Sequence, residues 1–334
     1  MPQAARKRTT GARAENTESH LASQSERKAK RKAYLLTALV AAVVLLIVGI
    51  FYYQVYVAPF RQVIITVDGT SIRMDYFITR TKMAGTEPVA MLQQLTNELI
   101  IIEEAPKVGI VVSAQDIDRE LRSMAAGGNE QVSENAFKEW YRQQLNQTQV
   151  SDTTYREVVE NRLLADRLQE YQAQRIATVL PQSHINAIFV SSEDAANRTI
   201  ARWKSGEPFA QLAREISTDA TSRDRGGDLG WMPHGVSIFD ATAFTLDVGK
   251  ISGAFPSMTG PNSAPSFYYV LLVTEKSDAR QVDEQYLPML RDQALGVWLK
   301  TEMTRHKISW NFNSEINAWL ISQLAKSQTT GDQP

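Results

Sequence analysis

The chain has 334 residues, enough for two domains, and its 22% charged and 43% hydrophobic residues are ordinary for a globular protein. It has no cysteine, which excludes a disulfide framework, a thiolate nucleophile and a lipid-modified cysteine. The four histidines are scattered and lack the spacing of a metal site; they are His20, His184, His234 and His306.

Charge is distributed unevenly along the sequence. Of its 36 Lys/Arg and 37 Asp/Glu, residues 1–32 hold nine and three, which leaves 27 and 34 for the remainder. A basic arm on an acidic body is compatible with nucleic-acid binding. The apolar segment that follows favours a membrane instead, so we expect no nucleic-acid partner. Residues 1–32 show no hydrophobic periodicity and are predicted to be a disordered cytoplasmic tail.

The stretch from Ala33 to Tyr53 is apolar and follows Lys30-Arg31-Lys32. About twenty apolar residues span a bilayer core, and basic residues mark the cytoplasmic side. A cleaved signal peptide is the alternative, but the apolar run is too long for one and no Ala-x-Ala site follows it. We therefore expect residues 33–57 to be a single-pass anchor in the lipid bilayer, with the bulk of the protein outside the cytoplasm.

Residues 58–180 are predicted to form a strand and turn followed by helices. Val63–Val67 is typical of a strand and Asp68-Gly69 of a tight turn. Apolar residues then recur at helical spacing and end near a proline and a glycine; they are Met91, Leu92, Leu95, Leu99 and Ile102. Three further helices are predicted over residues 113–124, 134–145 and 151–174.

The motif Gly226-Gly227-Asp228-Leu229-Gly230-Trp231 requires a tightly bent backbone, because three glycines in five residues exclude a helix or a regular strand. It lacks the Gly-Lys-Ser/Thr ending of a phosphate-binding loop. The nearby aspartates, Asp219, Asp224 and Asp228, do not have calcium-loop spacing. A tight loop without function and the floor of a binding pocket remain as interpretations.

Further blocks accompany this motif in a fixed order: Phe209 to Asp219 before it, and Pro233-His-Gly235, Phe239 to Phe244 and Val248 to Ser252 after it. In that order and spacing, residues 181–278 resemble the parvulin (PpiC-type) peptidyl-prolyl isomerase domain. The resemblance implies a small antiparallel sheet flanked by helices. It also implies proline-containing or unfolded polypeptides as partners and no metal, nucleotide or redox cofactor.

The preceding strand-turn and helices resemble the N-terminal chaperone domain of SurA- and PrsA-like foldases. The predicted fold is therefore α+β, with a transmembrane helix and a mostly helical domain, residues 58–180, that carries an inserted parvulin domain. A plain helical scaffold is the alternative. A helix over residues 282–303, a segment Ile308 to Phe312 and a last helix complete residues 279–325, which are expected to return to the helical domain. Residues 326–334 are predicted to be a loose tail.

Prolyl isomerisation requires an apolar slot for the proline ring and polar groups that fit the twisted amide. The resemblance assigns the slot to Leu229, Trp231, Phe239 and Phe244. It assigns the polar positions, as candidate catalytic residues, to Asp219, Tyr269 and Ser266. For Asp219 the alternative is a helix-cap or turn residue, for Tyr269 a simple strand aromatic, and for the slot residues core packing.

The sequence departs from the parvulin pattern at both usual histidines, which are replaced by Ala187 and Tyr269. The nearest histidine, His184, lies three residues before Ala187, on the opposite strand face. The pocket methionine has no clear counterpart. Three hypotheses follow: an extracytoplasmic foldase with isomerase activity, a chaperone whose parvulin domain is catalytically weak or inactive, and a scaffold that docks one fixed partner.

Overall fold

The computed structural model describes residues 36–128, 131–257 and 264–329. The predicted basic tail, the first three residues of the predicted anchor and residues 330–334 lie outside the described part. Contacts between residues divide the protein into two units, 1–96 with 308–334 and 97–307. The prediction of an α+β fold with one N-terminal apolar helix and small antiparallel sheets is confirmed.

The first helix, α1, spans Leu36–Arg61 and has a mean hydropathy of 2.5, which is long and apolar enough to cross a membrane. None of the residues in its most apolar 18-residue stretch is buried by the rest of the described protein. A π-helical turn at Tyr53–Val57 precedes Pro59, and the Ala58 N–H bonds to the Tyr53 carbonyl. Proline has no N–H for the regular hydrogen-bond pattern of the helix, and the π-turn keeps the Ala58 N–H hydrogen-bonded just before it.

The first unit contains a three-stranded antiparallel sheet with strand order β2-β1-β7. Its elements are β1 Val63–Val67, β2 Thr70–Arg73, α2 Met74–Ala84, the first part of α3 Pro88–Glu104, β7 Ile308–Trp310 and α12 Ser314–Thr329. The turn at Asp68-Gly69 joins β1 and β2 as predicted, with positive φ at both residues. The C-terminal segment returns to this sheet, because β7 pairs with β1.

Apolar side chains of β1, α2 and α3 form the core of this unit. Those with 1% exposure or less are Ile64, Ile65, Val67, Met74, Phe77, Met91 and Leu95. The C-terminal segment adds Phe312, whose ring lies 6.4 Å from Phe77, and Trp319, 5.2 Å from Phe60. Helix α12 continues to Thr329, so residues 326–329 are helical, and the loose tail predicted for residues 326–334 stays a prediction.

The second unit begins within α3 and combines helices with a four-stranded sheet. Its helices before the sheet are α4 Ala114–Ala126, α5 Glu134–Thr148 and α6 Asp152–Ala173. Each begins at a serine whose side chain accepts a backbone N–H, the usual N-cap arrangement. Helix α11, Leu287–Glu302, packs against α6. It begins five residues later than the sequence predicts, because β6 extends to Gln281 and a 3₁₀ turn follows.

The sheet of the second unit is antiparallel with strand order β4-β3-β6-β5. Its strands are β3 Val179–Val190, β4 Asp228–Pro233, β5 Phe255–Ser257 and β6 Phe267–Gln281. The helices along it are α7 Glu193–Lys204, α8 Phe209–Ile216, α9 Ala220–Arg223 and α10 Asp240–Thr245. One face is covered by α7 and α8 through a core that includes Ile188, Val190 and Leu212. The other face carries the candidate site.

Candidate functional site

An apolar cluster covers the face of the sheet opposite α7 and α8. The buried members are Ile185, Ala187, Phe239, Ala243, Tyr269, Leu271 and Val273, with Phe189, Leu229, Met232, Phe244, Leu246 and Phe267 packed partly buried against them. Alternate residues of β3 and β6 supply the floor, as the two-residue period of a strand requires. The cross-strand partners Ala187 with Leu271 and Phe189 with Tyr269 share this face.

The glycine-rich bend brings its backbone against β3. The Ala187 N–H donates to the Gly227 carbonyl at 2.8 Å. A Cβ on Gly227 would lie 2.6 Å from the Ala187 carbonyl oxygen, and the φ of this residue is +83°. Both the close approach and the positive φ therefore require glycine at this position.

A β-bulge at Leu229 decides which side chains of β4 face the cluster. Ile185 pairs with Gly230 and Asn186 with Asp228, so Leu229 is an extra residue on β4. Leu229 and Met232 both pack against the cluster as a result. A regular strand would have placed them on opposite faces.

The bulge also turns Trp231 toward the other face of the sheet. Its ring lies 5.4 Å from the ring of His184, its cross-strand partner, and the Arg280 guanidinium lies 4.4 Å from its centroid. The structure therefore brings Leu229, Phe239 and Phe244 together and places Trp231 elsewhere. The sequence did not indicate Met232 as a member of the cluster, because the bulge that sets its direction cannot be seen from the sequence of β4 alone.

Phe239 reaches the cluster from the loop between β4 and α10. Its ring centroid lies 5.0 Å from that of Tyr269 and 6.0 Å from that of Phe189. The Asp240 carboxylate joins the two ends of this loop. It accepts the Gly235 N–H at 2.8 Å and lies 3.2 Å from His234 Nδ1. The His234 ring in turn lies 4.8 Å from Phe244, so the loop is held at both ends of α10.

Tyr269 is the one member of the described cluster that carries a hydroxyl group. It is 7% exposed, and burial raises the pKa of its phenol, which keeps the hydroxyl protonated at neutral pH. Among the described residues, no hydrogen bond involves this hydroxyl. Ala187, predicted to stand at the position of a family histidine, is fully buried and contributes only its methyl group. The Tyr269 hydroxyl is therefore a hydrogen-bond donor available to a bound group.

Asp219 begins the short helix α9, which lies beside the end of β3. Its carboxylate accepts the backbone N–H groups of Thr221 and Ser222 and the Ser222 hydroxyl. The Ser222 hydroxyl is the largest cause of the lowered pKa of Asp219. The hydrogen bonds of this carboxylate within the described residues all go to its own turn, which is the arrangement of a helix cap. Its predicted catalytic role stays a prediction.

Hydrogen bonds of Ser217 connect the turn at Asp219 to Phe189, a residue of the cluster. Its hydroxyl oxygen accepts the Phe189 N–H at 3.2 Å and the Asp219 N–H at 3.4 Å, while the Thr218 N–H donates to the Phe189 carbonyl at 2.8 Å. Asp219 therefore lies beside the strand end that carries Phe189. Ser266, the remaining candidate, is exposed immediately before β6, and its N–H donates to the Ser257 carbonyl at 2.9 Å.

His184 does not take the place of a lost histidine. It lies on the sheet face opposite the cluster, with Nδ1 2.7 Å from Thr274 Oγ1 and Nε2 3.5 Å from the Asp228 carboxylate. The apolar cluster itself contains no histidine and no carboxylate among its described members, so it offers no ligand set for a metal.

Comparison with known proteins gives one family model, the PPIC-type PPIASE domain, over residues 182–276. The foldase protein PrsA of Caldanaerobacter subterraneus subsp. tengcongensis is 30% identical over 167 residues, 48% of this chain and 51% of that protein. Foldase protein PrsA 2 of Bacillus cereus is 33% identical over 106 residues, 31% of this chain and 35% of that protein. The present sequence spans about half the length of the first of these curated relatives and less of the second.

Two solved structures are also similar. One is a peptidylprolyl isomerase (PrsA) from Bacillus cereus, with 17% identity, a TM-score of 0.35 and coverage of 79% of this chain and 92% of that chain. The other is NmPin, the parvuline of Nitrosopumilus maritimus, with 30% identity, a TM-score of 0.25 and coverage of 28% and 96%. The match to the family model assigns residues 182–276 to the PpiC-type (parvulin) peptidyl-prolyl isomerase family, and the curated relatives make the protein similar to PrsA foldases.

Proposed function

We propose that this protein is a membrane-anchored, extracytoplasmic folding factor whose parvulin domain catalyses cis/trans isomerisation of prolyl bonds in secreted or envelope proteins. The observation that carries the proposal is the apolar cluster around Phe239 and Leu229, which includes Tyr269 as its one hydroxyl-bearing member among the described residues. The relation to PrsA foldases supports polypeptides as substrates.

The anchor and the location are part of this proposal. Helix α1 leaves its apolar side chains exposed, for example Leu45 at 71% and Phe51 at 65%. An exposed apolar surface of this length favours lipid contact. The nine Lys/Arg before it favour a cytoplasmic N-terminus. Placing a cysteine after Arg61, where the native protein has none, and labelling intact cells with a membrane-impermeant thiol reagent tests this orientation; failure to label overturns it.

The chemistry needs no covalent step, because the barrier is the partial double bond of the amide, about 18–20 kcal/mol. Phe239, Leu229 and Met232 would hold the proline ring and exclude water. The protonated Tyr269 hydroxyl would donate to the prolyl nitrogen of the twisted amide. The nitrogen lone pair accepts a hydrogen bond once conjugation is lost, but not in the planar ground state. Asp219 would act through its turn, which is linked by Ser217 to the end of β3.

The test is cis-to-trans relaxation of a short proline peptide, followed by NMR exchange with the full-length protein in detergent micelles. We expect rate enhancement that Phe239→Ala abolishes and Leu229→Ala weakens through peptide binding. Because removing a buried ring also costs about 3–5 kcal/mol of stability, Phe239→Leu serves as the milder variant. Thermal unfolding of each variant separates loss of the slot from loss of the fold.

A second function, a chaperone with an inactive parvulin domain, is favoured by one observation: Ala187 and Tyr269 replace both polar side chains of the usual site. This alternative predicts peptide binding without rate enhancement, together with suppression of aggregation of an unfolded test protein. Binding of one fixed partner and no unrelated unfolded protein would instead support a docking scaffold.

A further inference from the structure

An aromatic row crosses three strands on the face of the apolar cluster. Phe189 on β3 pairs with Tyr269 on β6, and Tyr269 pairs with Phe255 on β5. Because cross-strand partners lie side by side on one face of a sheet, the three rings form a continuous line. The Phe255 and Tyr269 rings are stacked, with centroids 5.7 Å apart.

Two further rings border this row. Phe267, two residues before Tyr269 on β6, lies 5.5 Å from Phe189 in an edge-to-face arrangement. Phe239 covers Tyr269 and Phe189 from the α10 side. We call the five rings of Phe189, Phe239, Phe255, Phe267 and Tyr269 the aromatic wall.

Exposure increases along the wall from the slot outward. Phe239 and Tyr269 are 7% exposed, whereas Phe255 at the β5 edge is 36% exposed. The wall therefore starts inside the proposed proline slot and ends at the surface. Neighbouring strands are about 4.8 Å apart, so a row over three strands has room for a proline ring and one adjacent side chain.

We propose that the aromatic wall selects prolyl bonds preceded by an aromatic residue. The inference rests on the proposed function, because the bond that rotates joins the proline to this residue and a catalyst must hold both of its sides. Aromatic pairs gain from edge-to-face and offset contacts beyond the area that they bury. The Phe255 ring, at the open end of the wall, is the contact that distinguishes an aromatic side chain from an aliphatic one.

The surroundings of the wall disfavour a charged residue at the same position. The side chains packed around the wall include Leu229, Met232 and Leu271, and the Asp219 carboxylate beside the end of β3 is hydrogen-bonded within its own turn. A glutamate or lysine before the proline would lose water against these apolar side chains, which is costly, and the Asp219 carboxylate is already engaged by Ser222. The expected order of substrates is therefore aromatic, then aliphatic, then charged.

The experiment compares five peptides, Gly-Ala-Xaa-Pro-Ala with Phe, Leu, Ala, Glu or Lys at Xaa, with the full-length protein in detergent micelles. NMR exchange gives the rate enhancement, and chemical-shift titration of the same samples gives Kd. We expect the Phe peptide to exceed the Leu peptide by about threefold to tenfold, the range of an aromatic pair. Phe255→Leu should bring this ratio close to one, Phe255→Tyr should keep it, and Phe137→Leu on the distant helix α5 should leave it unchanged.

Equal values for the Phe and Leu peptides, or a ratio that Phe255→Leu does not change, would overturn the aromatic preference while leaving isomerisation intact. Absence of rate enhancement for all five peptides would overturn the isomerase proposal instead. In that case the Kd values of the Phe and Leu peptides would test the preference, since a domain that only binds peptides would use the same wall. Equal Kd values would contradict it.

Discussion

At the scale of single residues, the site combines one buried polar group with many apolar ones. Tyr269 lies on β6, and Ala187, on the same face of the neighbouring strand β3, contributes only a methyl group; that these two stand at the positions of family histidines stays a prediction. A phenol with a pKa raised by burial remains a donor at neutral pH, whereas a histidine changes its charge in the physiological range. Under the proposed function, catalysis depends on this one hydroxyl far more than in a site with two imidazoles.

Tyr269→Phe removes the hydroxyl and keeps the ring contacts with Phe239 and Phe255. We expect kcat/KM for a proline peptide to fall by about a hundredfold or more, since a single preorganised donor contributes a few kcal/mol, with peptide binding largely retained. Tyr268→Phe is the matched control, because Tyr268 packs against the other face of the sheet. Equal rates for Tyr269→Phe and the native protein, measured by NMR exchange, would exclude a role for this hydroxyl.

The pKa of Asp219 depends on Ser222, whose hydroxyl is the first cause of its lowering. We expect Ser222→Ala to raise this pKa toward its ordinary value. Thr221→Ala should raise it less, because it keeps the backbone N–H bond and removes only the side-chain hydrogen bond, the smallest cause. Since the folded pKa is the lower one, the cap stabilises the fold above the unfolded pKa of about 3.9. That stability is lost as the pH falls through the folded value. Carboxyl ¹³C titration by NMR measures the pKa of Asp219 in both variants. An unchanged pKa in Ser222→Ala would contradict the role of the Ser222 hydroxyl as the main cause of the lowering.

At the scale of elements, the bend between α9 and β4 determines which side chains reach the cluster. Gly227 allows the close approach to β3, and the bulge at Leu229 places Leu229 and Met232 on one face. The order of motifs predicted the element and the role of Leu229. It did not predict the bulge, because the register of β4 depends on hydrogen bonds to β3 that are distant in sequence.

Gly227→Ala and Gly230→Ala separate steric contact from backbone strain. Both residues have a positive φ, +83° and +81°, but only the Gly227 Cβ would meet another atom, the Ala187 carbonyl oxygen at 2.6 Å. Gly230→Ala should therefore cost about 1–2 kcal/mol of unfolding free energy, the cost of the left-handed backbone for an L-residue. Gly227→Ala should cost clearly more. Chemical denaturation measures both; equal losses would show that the close approach does not matter.

At the scale of the whole molecule, the C-terminal segment adds a strand to the sheet of the first unit, next to β1. Strand β7 pairs with β1, the Asn311 N–H donates to the Ile64 carbonyl at 2.9 Å, and Trp310 Nε1 donates to Thr96 Oγ1 at 3.0 Å. The return of residues 279–325 to the helical domain, and the limits of each predicted domain, stay proposals. The sheet pairing supports the return for the part that begins at Ile308.

A truncated protein that ends at Lys307 tests the contribution of this return. Without β7 and α12, β1 loses one hydrogen-bonded neighbour, and Phe77 and Phe60 lose the rings of Phe312 and Trp319. We expect the amides of Val63–Val67 to lose hydrogen-exchange protection by orders of magnitude. A protein that ends at Thr329 is the control and should keep the protection. Unchanged protection in the shorter protein would show that the first unit is stable without its C-terminal segment.

The sequence by itself determined the features that depend on local pattern: the apolar helix α1, the serine-capped helices α4 to α6, the β1–β2 turn and the ordered motifs of the parvulin domain. These depend on periodicity, capping and glycine, which act within a few residues. Tertiary structure alone decided that Trp231 faces away from the cluster, that Met232 faces into it and that Phe189, Tyr269 and Phe255 form one row. Strand register and bulges set those placements, and both are fixed by pairing between segments that are far apart in the sequence.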